Sequence, residues 1–212
     1  MKCVYCCNEI KEEEFAREHV PPKSFFKKGT SCLITIPACR ACNNKKSSDD
    51  EFVLNIFSMS NLISINPQHQ FHIDKMLRAV KRPQKVGFIK EVMSSIHTAI
   101  TTEGSKKAFT FDESRVSGWA GINAQGLLVH EEHIEHCNYK HSTLMLNLLK
   151  VEFPKENQLL ELILSFTKST PSKRVGSSEF EYWIQAQEEG YIVIQCFYQE
   201  LFFLTMVERC KI

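Results

Sequence analysis

Glu18-His19-Val20-Pro21-Pro22-Lys23-Ser24 and, further on, Pro37-Ala38-Cys39-Arg40-Ala41-Cys42-Asn43-Asn44-Lys45-Lys46-Ser47 are the two stretches on which the fold turns. The second carries a CxxC pair, and Cys3 and Cys6 form another near the start. Two residues between thiolates let both sulfurs turn inward on one tight loop, so two such knuckles supply four thiolates for a tetrahedral zinc ion. The 32 residues between Cys6 and Cys39 must then build a structure that returns the chain to its start. Six of the nine cysteines fall in the first 42 residues, which marks a site and not a composition. An odd total in a chain of 212 residues with no apparent export signal argues for a metal site in a reducing compartment over a disulfide framework. Cys7 and Cys32 are surplus, and small buried hydrophobes are the expected role for both.

Between the knuckles stands a carboxylate beside an imidazole, Glu18-His19, and an amide, Asn43, follows some 24 residues later. On an extended strand Glu18 and His19 point to opposite sides, so one can face a cation while the other faces an incoming water. Such a set suits the hydrolysis of phosphodiesters. A neutral imidazole takes a proton near pH 7, and a hard cation on oxygen ligands stabilises the charge that develops on phosphorus-bound oxygens.

CxxC, then EHVPPKS, then PACRACNNKKS, resembles a zinc-stapled HNH endonuclease, over about residues 1 to 50. The resemblance implies a two-stranded hairpin and a helix clasping one divalent ion, magnesium or manganese, over the scissile phosphate. It implies that His19 is the general base, that Glu18 and Asn43 are ligands of the divalent ion, and that Cys3, Cys6, Cys39 and Cys42 hold a structural zinc. It also implies hydrolysis without a covalent intermediate, leaving a 5'-phosphate. One departure stands out. The family's middle Asn, which braces the loop carrying the base, falls where Ile34 and Thr35 stand here, so Thr35 or a backbone carbonyl must do the bracing. Asn44 competes with Asn43, because one step along a helix turns a side chain by about 100°; the spacing favours Asn43.

The expected fold class is α+β: a ββα-metal module over residues 1–60, then an α+β domain over 61–212 that ends in a three-stranded antiparallel sheet. A helix is expected from near Arg40 to a stop at Asn66-Pro67, with further helices at His69–Arg82, Phe88–Thr102, Leu144–Leu149 and Leu159–Phe166, and a strand at Ala108–Phe111. Residues 115–137 leave helix and strand open. Apolar residues alternate at Phe180, Tyr182 and Ile184, at Ile192, Ile194, Cys196 and Tyr198, and at Phe202, Leu204 and Met206, with turns at Glu189-Gly190 and Gln199-Glu200.

Charge narrows the partners. Lys and Arg number 26 against 25 Asp and Glu, so the chain lacks an overall basic bias and nucleic-acid contact must come from local patches. Lys23, Lys45 and Lys46, with Lys27 and Lys28, are the candidates for backbone phosphates. A basic run, Lys75, Arg78, Lys81, Arg82, Lys85 and Lys90, has no acidic residue within it and fits either DNA or a solvated helix face. His130, His133 and Cys137 lie at i, i+3 and i+7, where a second metal site or a solvent-exposed polar helix explains the same residues. Asp49, Asp50 and Glu51 either support the site or line a solvated face. Trp119 and Trp183 are expected in the core. No run approaches the roughly 18 apolar residues of a membrane span, so a cytoplasmic protein without membrane contact is expected.

The function expected is a metal-dependent endonuclease acting on DNA, with RNA the lesser candidate, in a bacterial or phage restriction or defence setting. Residues 61–212 would then supply specificity, a homodimer contact or a defence-partner contact. Two other readings stay open: a zinc-stabilised module that binds nucleic acid or a partner without cutting, and a nuclease subunit inert until a partner arrives.

Overall fold

A computed structural model of the chain describes residues 1–59, 70–80, 86–101, 104–134, 139–147, 154–177 and 179–209. It is a mixed α+β structure that divides into two compact units, residues 1–53 with 115–212, and residues 54–114. This division does not follow the expected boundary at residue 60, because the C-terminal part of the chain packs onto the N-terminal part.

In the first unit, β1 (Phe15–His19) and β2 (Thr35–Cys39) form an antiparallel ribbon, and α1 (Arg40–Met59) starts at the residue after β2. A helix that runs on from Arg40 was expected; its expected stop at Asn66-Pro67 lies outside the described residues. The Val20–Pro21 peptide that follows β1 is cis.

The C-terminal part of this unit is a five-stranded antiparallel sheet. Its strands are β5 (Tyr139–Asn147), β6 (Lys173–Val175), β7 (Phe180–Gln187), β8 (Gly190–Phe197) and β9 (Leu201–Arg209), in the spatial order β5-β9-β8-β7-β6. The three alternating segments are β7, β8 and β9, so the expected meander stands, extended by a strand at each edge. Gly190 has a physical reason: a Cβ there would lie 2.0 Å from the Val207 carbonyl oxygen. One expectation needs correction. Leu144–Leu149, expected as a helix, supplies part of β5, whose residues pair with β9; a short apolar run carries no period of its own, and an open sheet edge decides it. The open segment from 115 is α4 (Glu113–His130), and Leu159–Phe166 lies within α5 (Pro154–Ser169).

Helices cover both faces of the sheet. On one, Trp119 of α4 meets Phe197 and Phe203 at ring distances of 5.5 and 6.4 Å, and the Gln195 amide donates to the Ala120 carbonyl. On the other, Ile163 of α5 joins Leu146, Trp183, Ile194, Cys196 and Phe202. Burial is therefore continuous over residues 193–198 and not alternating. Each large side chain removed from water here is worth about 1.5–3 kcal/mol. The other edge of α4 lies on the ribbon: a Cβ at Gly126 would sit 2.8 Å from a Val20 methyl and 3.0 Å from an Ile36 methyl, so glycine sets that close approach.

The second unit holds the C-terminal turns of α1, then α2 (Gln70–Val80), α3 (Val86–Ser95) and an antiparallel hairpin, β3 (His97–Thr101) with β4 (Gly104–Ala108). The helix expected over Phe88–Thr102 ends at Ser95. The alternation and β-branching of Thr98, Ile100 and Thr101 favour a strand once β4 pairs with it. The strand expected at Ala108–Phe111 lies earlier, at β4.

Candidate metal centre

The first ten residues form a tight loop closed by a bridge between Lys2 and Glu9 and by the Cys3 N–H on the Asn8 carbonyl at 2.9 Å. The Val4 N–H donates to the Pro37 carbonyl at 3.1 Å, which lays this loop along the end of β2. Cys39 ends β2 and Cys42 sits in the first turn of α1, so the strand-to-helix junction forms the second knuckle. The sulfurs of Cys3, Cys6, Cys39 and Cys42 lie within 4.8 Å of one another, with Cys6 Sγ and Cys39 Sγ 3.9 Å apart. Zinc–sulfur bonds of about 2.3 Å in a tetrahedron require sulfur separations near 3.8 Å, so the four positions fit structural zinc.

Local electrostatics agree with that fit. Burial raises the Cys3 thiol, but N–H donors from Cys39, Cys6 and Tyr5 outweigh it and bring the pKa down to about 7. The Cys39 N–H lies 3.3 Å from Cys3 Sγ. Cys42 is pushed well up by burial and by the neighbouring thiols. Four sulfurs this close ionise together only with a cation among them, which a zinc ion supplies. The surplus cysteines depart from the expected buried role: Cys32 is exposed, and Cys7 is half-buried and disulfide-bonded.

The ribbon carries the carboxylate and the imidazole. Glu18 pairs across it with Ile36, and His19 with Thr35. Glu18 is 4% exposed while His19 is half-buried, as strand alternation requires. Burial, then Lys23 and Arg17, lower the His19 pKa, which favours the neutral imidazole. The loop after His19 is braced by a backbone carbonyl: the Val20 N–H donates to Ile34 O at 3.1 Å. Farther along it Phe25 stacks on Trp119 at 5.0 Å, and the Tyr198 hydroxyl donates to the Phe25 carbonyl at 2.9 Å.

Lys46, expected at phosphates, lies inside the protein. It is 5% exposed, its Nζ 3.1 Å from Glu18 Oε1 and 2.6 Å from Asp50 Oδ1. The Trp119 indole N–H donates to the same Asp50 oxygen at 2.8 Å. Burial raises the pKa of both carboxyls and the Lys46 charge opposes it. The Tyr5 hydroxyl is buried and has no hydrogen-bond partner among the described residues, and burial with the charges of Glu18 and Asp50 holds its proton firmly. Asp50 thus takes the supporting role, the first of the two open to it, whereas Tyr5 and Trp119 were not singled out as partners of this site. The i, i+4 spacing of Lys46 and Asp50 was the one sequence signal for the pair.

Asn43 is half-buried in the first turn of α1, and Asn44 is exposed. Lys23, Lys27, Lys28 and Lys45 are exposed and available to solvent. Asp49 pairs with Arg115 at 2.7 Å. In the basic run, Arg78 and Lys90 are exposed and Lys75 lies over the Phe71 ring at 4.9 Å, while Lys81, Arg82 and Lys85 lie outside the described residues. Of the stripe of His130, His133 and Cys137, His130 ends α4 and His133 follows in a bend, and Cys137 lies outside the described residues. Glu131 there is occupied by Lys173 and by the Tyr182 hydroxyl. Among the described residues the four cysteines are the one cluster of three or more potential metal ligands. No helix among them is long and apolar enough to cross a membrane. The chain matches no family model, no curated protein and no solved structure in comparisons with each.

Proposed function

We propose that this chain is an endonuclease of the HNH type that hydrolyses phosphodiester bonds in DNA. The observation that carries this reading is the placement of His19 at the end of β1, half-buried and disposed to be neutral, in a ribbon that runs through the second knuckle straight into α1. His19 takes the proton of the attacking water, and the Val20 to Ile34 hydrogen bond fixes the backbone that carries it. Glu18 and Asn43 offer hard oxygen donors for a divalent ion. The Glu18 position accepts positive charge, since its carboxylate already holds the Lys46 ammonium. Magnesium or manganese bound there supplies Lewis-acid stabilisation of the charge developing on the phosphate. Exposed Lys23 and Lys45 meet backbone phosphates. The zinc knuckles keep the ribbon and α1 at a fixed angle.

A second reading, a zinc-stapled module that binds nucleic acid without cutting, is favoured by the same Lys46 contact, which leaves Glu18 neutralised from within. A plasmid-nicking assay separates the two. Zinc-loaded wild type should nick with added Mg or Mn and not with EDTA, and His19→Ala should lose at least about a hundredfold, the usual contribution of a general base. Equal cutting by His19→Ala removes the assignment. Retention of plasmid by folded wild type without nicking under any metal selects the second reading.

A further inference from the structure

Lys46 is the cation nearest the proposed catalytic carboxylate, and nothing above gives it a task. We propose that Lys46 is an internal competitor for the divalent ion: its ammonium holds Glu18 while no ion is bound, and passes wholly to Asp50 when an ion takes the carboxylate. This deepens the nuclease reading and rests on it. The geometry supplies both halves of the exchange. Nζ lies 3.1 Å from Glu18 Oε1 but 2.6 Å from Asp50 Oδ1, so the tighter contact is the one that would remain. Asp50 lies one turn further along the same helix and is held by the Trp119 indole at 2.8 Å, so it stays in place as the fallback when Glu18 is lost. A buried ammonium stripped of every partner is prohibitively costly, and so is a buried bare carboxylate. With two carboxylates for one lysine, each group keeps a partner in both states. The four-carbon lysine stem lets Nζ turn between them without moving α1. A divalent ion on Glu18 repels the ammonium and drives the transfer. The ion therefore binds against a resident charge and stays exchangeable.

The test is a titration of zinc-loaded, full-length protein with Mn2+, following free Mn2+ by electron paramagnetic resonance. Lys46→Met should bind Mn2+ at least about tenfold more tightly than wild type, because the competitor is gone. Asp50→Asn should bind several-fold more weakly, because Lys46 then has only Glu18. Both variants must retain one zinc and the wild-type circular dichroism; if Lys46→Met does not, Lys46→Gln makes the same removal of charge. A network that is only structural predicts unchanged or weaker binding in the lysine variant, which overturns the proposal. So does Asp50→Asn binding with wild-type affinity. If wild type binds Mn2+ and the lysine variant does so equally, the competitor role falls while the nuclease reading stands. If neither binds Mn2+ beyond the zinc, both fall together.

Discussion

The knuckle end of the first unit and its C-terminal sheet are held by different physics. Residues 1–46 bury Phe25, Phe26, Ile34 and Ile36 and in addition converge on four sulfurs and on the Lys46 ion pairs. The sheet buries Trp183, Phe197, Phe202 and Phe203 between two helices, and its ion pairs among the described residues lie nearer the surface than those of Lys46. The knuckle end thus depends on a few point interactions that each matter greatly, whereas the sheet spreads its stability over many contacts of modest size. Trp119 joins the two, stacking on Phe25 of one and meeting Phe197 of the other at a tilt.

That contrast is easiest to break at a single sulfur. Cys42→Ser should abolish zinc binding and unfold residues 1–46, since structural zinc contributes about 10–16 kcal/mol in small modules, against a total stability of about 5–15 kcal/mol. Metal analysis with circular dichroism checks this; full zinc occupancy in the variant would remove the four-thiolate site. Next in size, Trp119→Ala should cost about 3–5 kcal/mol and destabilise both regions at once. Urea melts followed at each region should shift together, and a shift confined to the sheet would show that the two do not share a core.

Gly126→Ala sharpens the comparison at the seam, because the new methyl meets buried Val20 and Ile36. It should cost about 1–3 kcal/mol by overpacking, read as a lower urea midpoint with an unchanged slope. The smallest effect belongs to the sheet's polar rim. The Tyr182 hydroxyl donates to Glu131 at 2.5 Å; burial raises the Glu131 pKa, but Lys173 and Tyr182 more than offset this and lower it below its ordinary 4.5. Such a group stabilises the fold above 4.5, and the contribution disappears as pH falls through the lower folded value. Tyr182→Phe should therefore cost about 1 kcal/mol at pH 7, with the difference from wild type shrinking as the pH falls below 4.5. A difference that is constant from pH 7 to pH 3 would assign the effect to packing.

The two regions were unequally legible. In the knuckle end the four cysteines that come near enough to hold a metal ion could be named from spacing, because Cys-x-x-Cys is a local constraint that holds in any surroundings. The meander was legible through its period, since β7, β8 and β9 alternate before any partner is considered. Leu144–Leu149 was not, because a short apolar run becomes strand or helix according to what it packs on, and β9 lies nearly 60 residues away. Lys46 was assigned outward, to phosphates, as a lysine in an Asn-Asn-Lys-Lys run ordinarily is. Its burial depends on Glu18 and Trp119, 28 residues before it and 73 after.

By itself the sequence determined the four thiolates, the strand that puts Glu18 and His19 on opposite faces, and the C-terminal meander; each follows from residue spacing within one element. Tertiary structure alone decided that α4 lies between ribbon and sheet, that a carbonyl of Ile34 braces the loop after His19, and that Lys46 turns inward to Glu18 and Asp50. The physical reason is the range of the interactions. Ligand spacing and strand alternation act over a few residues, whereas the partner of a buried charge is whatever carboxylate the packed chain brings within about 3 Å.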